Sequence, residues 1–135
     1  MALIHMKLKS RPATIAIEVI LWLLSIRLIL VFARAGYDKF DDSSGWARAF
    51  AIWGYPEWFR LLIGALEVGA AVLIVWPRTA AYAAAIIIAI MLGGMGTHVV
   101  VENRPARVTS ELVHLVMASI VLAGRWRSRI KTSGT

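Results

Sequence analysis

The sequence predicts an all-α integral membrane protein, a bundle of four transmembrane helices with both termini in the cytoplasm. Three observations predict it. First, 59% of the 135 residues are hydrophobic and only 17% are charged, and the mean hydropathy is +0.70. An ordinary globular domain carries roughly 25% charged residues, and a soluble chain this small has too much surface for its volume to hide so large an apolar excess. Second, four apolar segments run without alternation, at about residues 13–35, 58–76, 79–101 and 108–125. In lipid the backbone must satisfy its own hydrogen bonds, and unbroken apolar runs do so as helices rather than as barrel strands. Third, the basic residues are unevenly distributed between the two ends of these segments.

The first segment has a basic start (Lys7, Lys9, Arg11) and an Ala33-Arg34-Ala35 triplet, features shared with secretory signals. Its apolar stretch is about twice the length of a signal's, and Glu18 and Arg27 interrupt it, so it reads as a retained span. A connection follows over residues 36–57, long for a helix–helix link. Within it Asp41-Asp42-Ser43-Ser44-Gly45 reads as a turn, and residues 46–53 (WARAFAIW) as a short interfacial helix. Trp46, Trp53, Tyr55 and Trp58 suit the aromatic belt at the headgroups. That loop is either an anchor or a lid over a site. Pro56 and Trp58 mark the start of the second span, and Pro77-Arg78 closes a tight turn before the third. The fourth apolar run is short and needs residues 108–125 to cross. The tail from Arg125 is basic, with no structure expected after Lys131. One domain, 1–135, accounts for all of this.

Lys7, Lys9, Arg11, Arg78, Arg125, Arg127, Arg129 and Lys131 fall on one side with no acid among them. Arg34, Lys39, Arg48, Arg60, Arg104 and Arg107 fall on the other, mixed with Asp38, Asp41, Asp42, Glu57 and Glu102. The positive-inside rule therefore puts both ends of the chain in the cytoplasm and the longer connections outside. The same rule, with anionic headgroups as the partner, accounts for the net charge of +7 without nucleic acid. The chain has no cysteine, which removes disulfides and thiol relays. It has no nucleophilic triad, phosphate loop or dinucleotide fingerprint.

Charges inside the hydrocarbon are costly and should find partners. Arg27 and Glu67 lie at similar distances from the outer ends of their segments, which predicts an Arg27–Glu67 ion pair near the midplane. His98 and His114 flank the outer connection between the third and fourth segments, with Glu111 one turn from His114. With Thr97 these form the rest of a candidate buried polar cluster: Arg27, Glu67, His98, Glu111 and His114. Gly94 and Met91 share the His98 face, and Gly64 and Ala71 flank Glu67, so these stripes should be packed interior. Gly93, Gly94 and Gly96 are also where a flat ligand could approach the backbone. Glu18 falls on the opposite face of its helix, free to snorkel or to meet another subunit. Glu111-x-x-His114 has the spacing of a di-iron carboxylate helix, but one such motif is too few for that centre. A single metal held by His98, His114 and a carboxylate, or a haem between the histidines, remains open, and no metal site is assigned.

Ala35-Gly36-x-x-Lys39-Phe40 follows the helix carrying Arg27. A tryptophan-rich loop then ends in Gly54-x-Pro56, Ile63-Gly64-x-x-Glu67 opens the next helix, Pro77 follows ten residues later, and an alanine-rich helix carries Met91 and His98. This order resembles the DoxX-like family of small four-helix bacterial membrane proteins, over roughly residues 27–98. Gly36, Lys39 and Glu67 match the family pattern, and Glu111-x-x-His114 is a feature of this sequence. The resemblance implies a four-helix bundle of the bacterial inner membrane and, loosely, quinone-linked chemistry, since the family takes its name from a subunit of a thiosulfate:quinone oxidoreductase. It brings no established catalytic residues.

On this reading the chain is a quinone-linked or redox-associated membrane subunit. His98 or His114 would bond a quinone oxygen with Gly94 at the backbone, Glu67 and Glu111 would carry protons, and Arg27 would hold Glu67 ionised. Whether it is itself an enzyme stays open. Its partners are the lipid bilayer and a membrane or peripheral protein, or further copies of itself. The alternatives are a non-enzymatic anchor or assembly subunit and, less readily, a small transporter with a break at Gly93-Gly94.

Overall fold

The computed structural model describes residues 2–133, with side chains from residue 11 onward. The side chains of Lys7 and Lys9 and the last two residues lie outside it. The described chain is helical: α1 (Ala2–Asp38), α2 (Gly45–Ile52), α3 (Glu57–Leu73), α4 (Ala80–Gly96) and α5 (Thr109–Ser133), with a π-helical turn Thr97–Val101 and a 3₁₀ turn Pro105–Val108 between the last two. α1 packs on α3 and α5, α3 on α4, and α4 on α5, which closes a four-helix ring. α2 lies against α3 at one end.

Buried α1 residues recur at Leu21, Ser25, Leu28, Phe32 and Gly36, and Lys39, just past the helix, continues the series, the three-and-four spacing of one helix face. The core joins Leu28 and Phe32 to Ala70, Ala71 and Ile74 of α3 and its end, Ala80, Ala83, Ala84 and Ile87 of α4, and Ala118 and Val121 of α5. Alanines on α3 and α4 let these helices approach closely, as lipid-embedded helices require. Two glycines set the crossing of α1 on α3. A Cβ on Gly36 would lie 2.8 Å from the Gly64 carbonyl oxygen, and one on Gly64 would lie 3.0 Å from that of Gly36. The opposite face of α1 turns Ile15, Val19, Leu23, Ile26 and Leu30 outward, the surface a bilayer covers.

Among the described residues, three helical stretches are long and apolar enough to cross a membrane: Arg11–Asp38, Ala80–Val101 and Pro105–Ser133. α3, at 17 residues, is about 25 Å long, short of a hydrocarbon core of about 30 Å. The predicted segments differ from the helices mainly at their ends. α1 extends past residues 13–35 at both ends. α5 continues through the basic tail to Ser133, where no structure was expected, because Arg and Lys are good helix formers. The short helix expected at residues 46–53 is α2. Its N-cap is Ser44, whose hydroxyl accepts the Ala47 N–H, and the preceding turn is tied by Asp41 accepting from the Ser43 N–H and hydroxyl. Gly54, at φ 77°, reverses the chain after α2 in a conformation glycine adopts freely.

Candidate functional site

The Gly36–Gly64 approach brings the end of α1 against the middle of α3. One turn on, Lys39 Nζ donates to Glu67 Oε2 at 2.7 Å, with side chains only 3% and 4% exposed. A second Lys39 donation reaches the Ala35 carbonyl, and the ammonium sits 3.7 Å from the centre of the Trp46 ring. Arg60, also buried, donates to the Lys39 and Asp41 carbonyls and to the Asp42 carboxylate, and so clamps the chain after α1 onto the start of α3.

The second polar group gathers on α4 and α5. The π turn contributes His98, whose Nδ1 lies 2.7 Å from Glu102 Oε2 and whose Nε2 lies 3.1 Å from Glu111 Oε1. A neutral imidazole has one N–H, so it can donate to only one of these carboxylates. Satisfying both contacts takes one more proton, on the ring or on Glu111. Glu102 also accepts from Trp53 Nε1 at 2.8 Å and from Arg107 at 3.3 Å. The hydrogen bond from His98, then that from Trp53, holds the Glu102 carboxyl below its ordinary range. Tyr55 and Thr97 share a hydroxyl–hydroxyl bond of 3.0 Å, and Thr97 donates to the Gly93 carbonyl. Two residues past the π turn, Asn103 has φ 53°, a left-handed position that asparagine tolerates better than most residues.

Between the two groups lies a cavity of about 350 Å³, within the range of small-molecule sites, about 300–1,000 Å³. Lys39, Glu67, His98 and Glu111 reach it, and the rest of its wall is largely apolar and aromatic. α2 roofs it. The buried Phe50 ring packs against Trp46, Trp53, Tyr55 and Phe59, and the Trp53 ring meets His98 edge-on at 5.8 Å.

Of the residues singled out in the sequence, Glu67, His98, Glu111 and Gly94 line this one cavity. Arg27 does not, and the expected Arg27–Glu67 pair is replaced by Lys39–Glu67. Arg27 precedes the buried Leu28 and is exposed, turned about 100° off the packed face, the angle of one helical residue. The depths differ as well, because Glu67 is level with Gly36, about 14 Å along α1 from Arg27. His114 also faces elsewhere: its Nδ1 bonds the Ser110 carbonyl and its ring packs on Phe32 at 5.8 Å. The histidines therefore do not converge, and among the described residues no group of three or more acidic or histidine side chains is placed to hold a metal. Glu18 pairs with the buried Arg125 at 2.5 Å, inside the same chain. In the sequence Arg60, Trp53, Tyr55 and Glu102 stand only as loop or belt residues. Their roles arise from contacts across 18 to 49 positions, which local spacing does not encode.

The architecture and the cavity define a class: a small helical membrane protein with a roofed, charge-bearing pocket at one end of its bundle. The chain belongs to the DoxX-like family, whose sequence model matches residues 23–121, most of its length and more than the quoted motifs cover. No curated protein and no solved structure matches it.

Proposed function

We propose that the chain is a four-span protein of the bacterial inner membrane, both termini cytoplasmic, whose cavity binds a quinone-class compound as part of a membrane redox complex. The observation that carries this reading is a cavity apolar over most of its wall that bears two separate ionisable groups, Lys39–Glu67 at the end of α1 and on α3, and His98–Glu111 on the π turn and α5. Trp46, Phe50, Tyr55 and Phe59 suit a flat ring, and the polar groups suit oxygens at its ends, so the residues present fit such a guest. When bound, a quinone supplies a couple that takes up two electrons and two protons. Lys39 keeps positive charge at one wall, and its ammonium has one donor beyond those given to Glu67 and Ala35. Glu67 sits where a proton can be held beside that donor. His98, set between two carboxylates, holds a proton that can move to Glu111 at the cavity wall. The Trp53–Glu102 bond keeps α2 closed over the site and bulk water away. With no cysteine in the chain, electrons reach the site from a partner that carries its own redox group.

Tryptophan fluorescence tests the reading, because Trp46 and Trp53 line the cavity. Titration of the detergent-solubilised protein with a short-chain benzoquinone is expected to give saturable quenching. His98→Ala should weaken the affinity at least tenfold while the helical circular-dichroism signal is retained. Linear, unsaturable quenching of the wild type overturns it. A polypeptide partner that copurifies in that case supports the anchor or assembly-subunit reading.

A further inference from the structure

The wall of the cavity is not equally closed on all sides. Its charged residues are buried or nearly so, and its roof is tied down by the Trp53–Glu102 and Tyr55–Thr97 bonds. Of the residues that line it, three are exposed: Leu66 of α3, and Ala89 and Gly93 of α4. All three are apolar. Ala89 and Gly93 are one turn apart on one face of α4, and Ala89 stands near the midpoint of the membrane-crossing stretch Ala80–Val101. A Cβ built on Gly93 meets no atom within 4 Å, so the space beside it is open. α3 and α4 run antiparallel through the turn after Leu73, which puts the Leu66 side of α3 beside the Ala89 side of α4.

We propose that the cavity opens sideways into the hydrocarbon of the bilayer through a gap bounded by Leu66, Ala89 and Gly93. Its ligand is then an amphiphile, with the polar head against Lys39–Glu67 and His98–Glu111 and a hydrocarbon tail lying in the gap. Water-soluble charged compounds are excluded, because the gap offers them no hydrogen-bonding side chain. This inference rests on the quinone-class reading and narrows it to tailed, membrane-resident members of that class.

The test compares two ligands on three proteins: wild type, Gly93→Leu and Ala89→Leu. Both substitutions add side chain to the gap. The first enters open space and replaces glycine in a helix, so both variants are expected to fold. The ligands are a benzoquinone without a tail and the same headgroup with a ten-carbon tail, followed by tryptophan quenching in detergent micelles. The expected result is a tenfold or larger loss of affinity for the tailed ligand in either variant, with the tail-less one bound as in wild type. Equal losses for both ligands, or none for either, overturn the sideways opening and leave the headgroup site standing. Failure of the wild type to bind either ligand overturns the quinone-class reading and the opening with it.

Discussion

Lys39 and Glu67 are an ion pair taken almost wholly out of solvent, and such a pair is costly to break from one side. Removing one partner of a buried pair strands the other charge, at about 3–5 kcal/mol, whereas replacing both with apolar residues of similar size is often near neutral. Lys39→Met and Glu67→Leu are therefore each expected to lower the melting temperature in detergent sharply. The double variant should recover most of that loss while losing headgroup binding. Equal melting temperatures for both single variants and wild type would show that the pair is not buried. Glu102 carries the pH dependence. Its carboxyl lies below the ordinary range because His98 and Trp53 bond to it, so its folded value is below its unfolded one. The stabilisation it gives is then complete above the unfolded value, about 4.3, and is lost as pH falls through the folded value. Hydrogen exchange of residues 97–108 is expected to be slow and flat from neutral pH down to that point and to accelerate, after correction for intrinsic rates, below it. Glu102→Gln should remove the step, and a step of unchanged size in that variant would place its origin elsewhere.

At the scale of elements, the α1–α3 crossing places the first polar group and the π turn places the second. Gly36 and Gly64 leave no room between the two helices for a methyl group. Gly36→Ala is expected to cost about 1–3 kcal/mol by overpacking and to move Lys39 off Glu67. Gly69, on the same α3, meets nothing within 4 Å of a built Cβ. Gly69→Ala is therefore expected to be neutral or to stabilise by up to about 1 kcal/mol, the helix-propensity gain. Thermal melts of the two variants check the contrast, and similar losses for both would mean that α1 does not meet α3 at Gly36. The π turn follows a known association, since single π turns in helices are frequent at functional sites. Here it carries His98 and Thr97, and through Glu102 it holds the α2 roof.

For the whole molecule, the number of crossings turns on α3. Among the described residues three stretches have the length and composition to cross, and α3 is shorter. Yet α3 packs between α1 and α4 in the closed ring, and local thinning or snorkelling accommodates a short span at modest cost. The absence of native cysteine makes the test direct. Gly45→Cys, at the start of α2, and Pro77→Cys, in the turn after α3, are labelled in intact cells with an impermeant maleimide. Four crossings with cytoplasmic termini predict labelling at 45 and protection at 77. Labelling at both positions would put α3 on one side of the membrane.

What the sequence determined by itself is the solvent and the elements. Composition alone demands a bilayer, because a chain of this size cannot bury so many apolar residues. Unbroken apolar runs mark the long helices, and the turn at 41–45 and Pro56 bracket the short helix between the first two. Glu67, His98, Glu111 and Gly94 could be picked out because polar or glycine residues within apolar runs are conspicuous. The tertiary structure decided which of them meet. Arg27 and His114 are as conspicuous as the others, but the rotation of α1 and α5 about their axes turns them away from the cavity. Arg60, Trp53, Tyr55 and Glu102 look like ordinary loop and belt residues in the sequence, and Lys39 stands out only through the family pattern, until the fold brings them to the site. The physical reason is that hydropathy reports depth along a helix, whereas partners are chosen by helix phase and by where two helices touch. In this chain both were set by small residues, above all by Gly36 against Gly64.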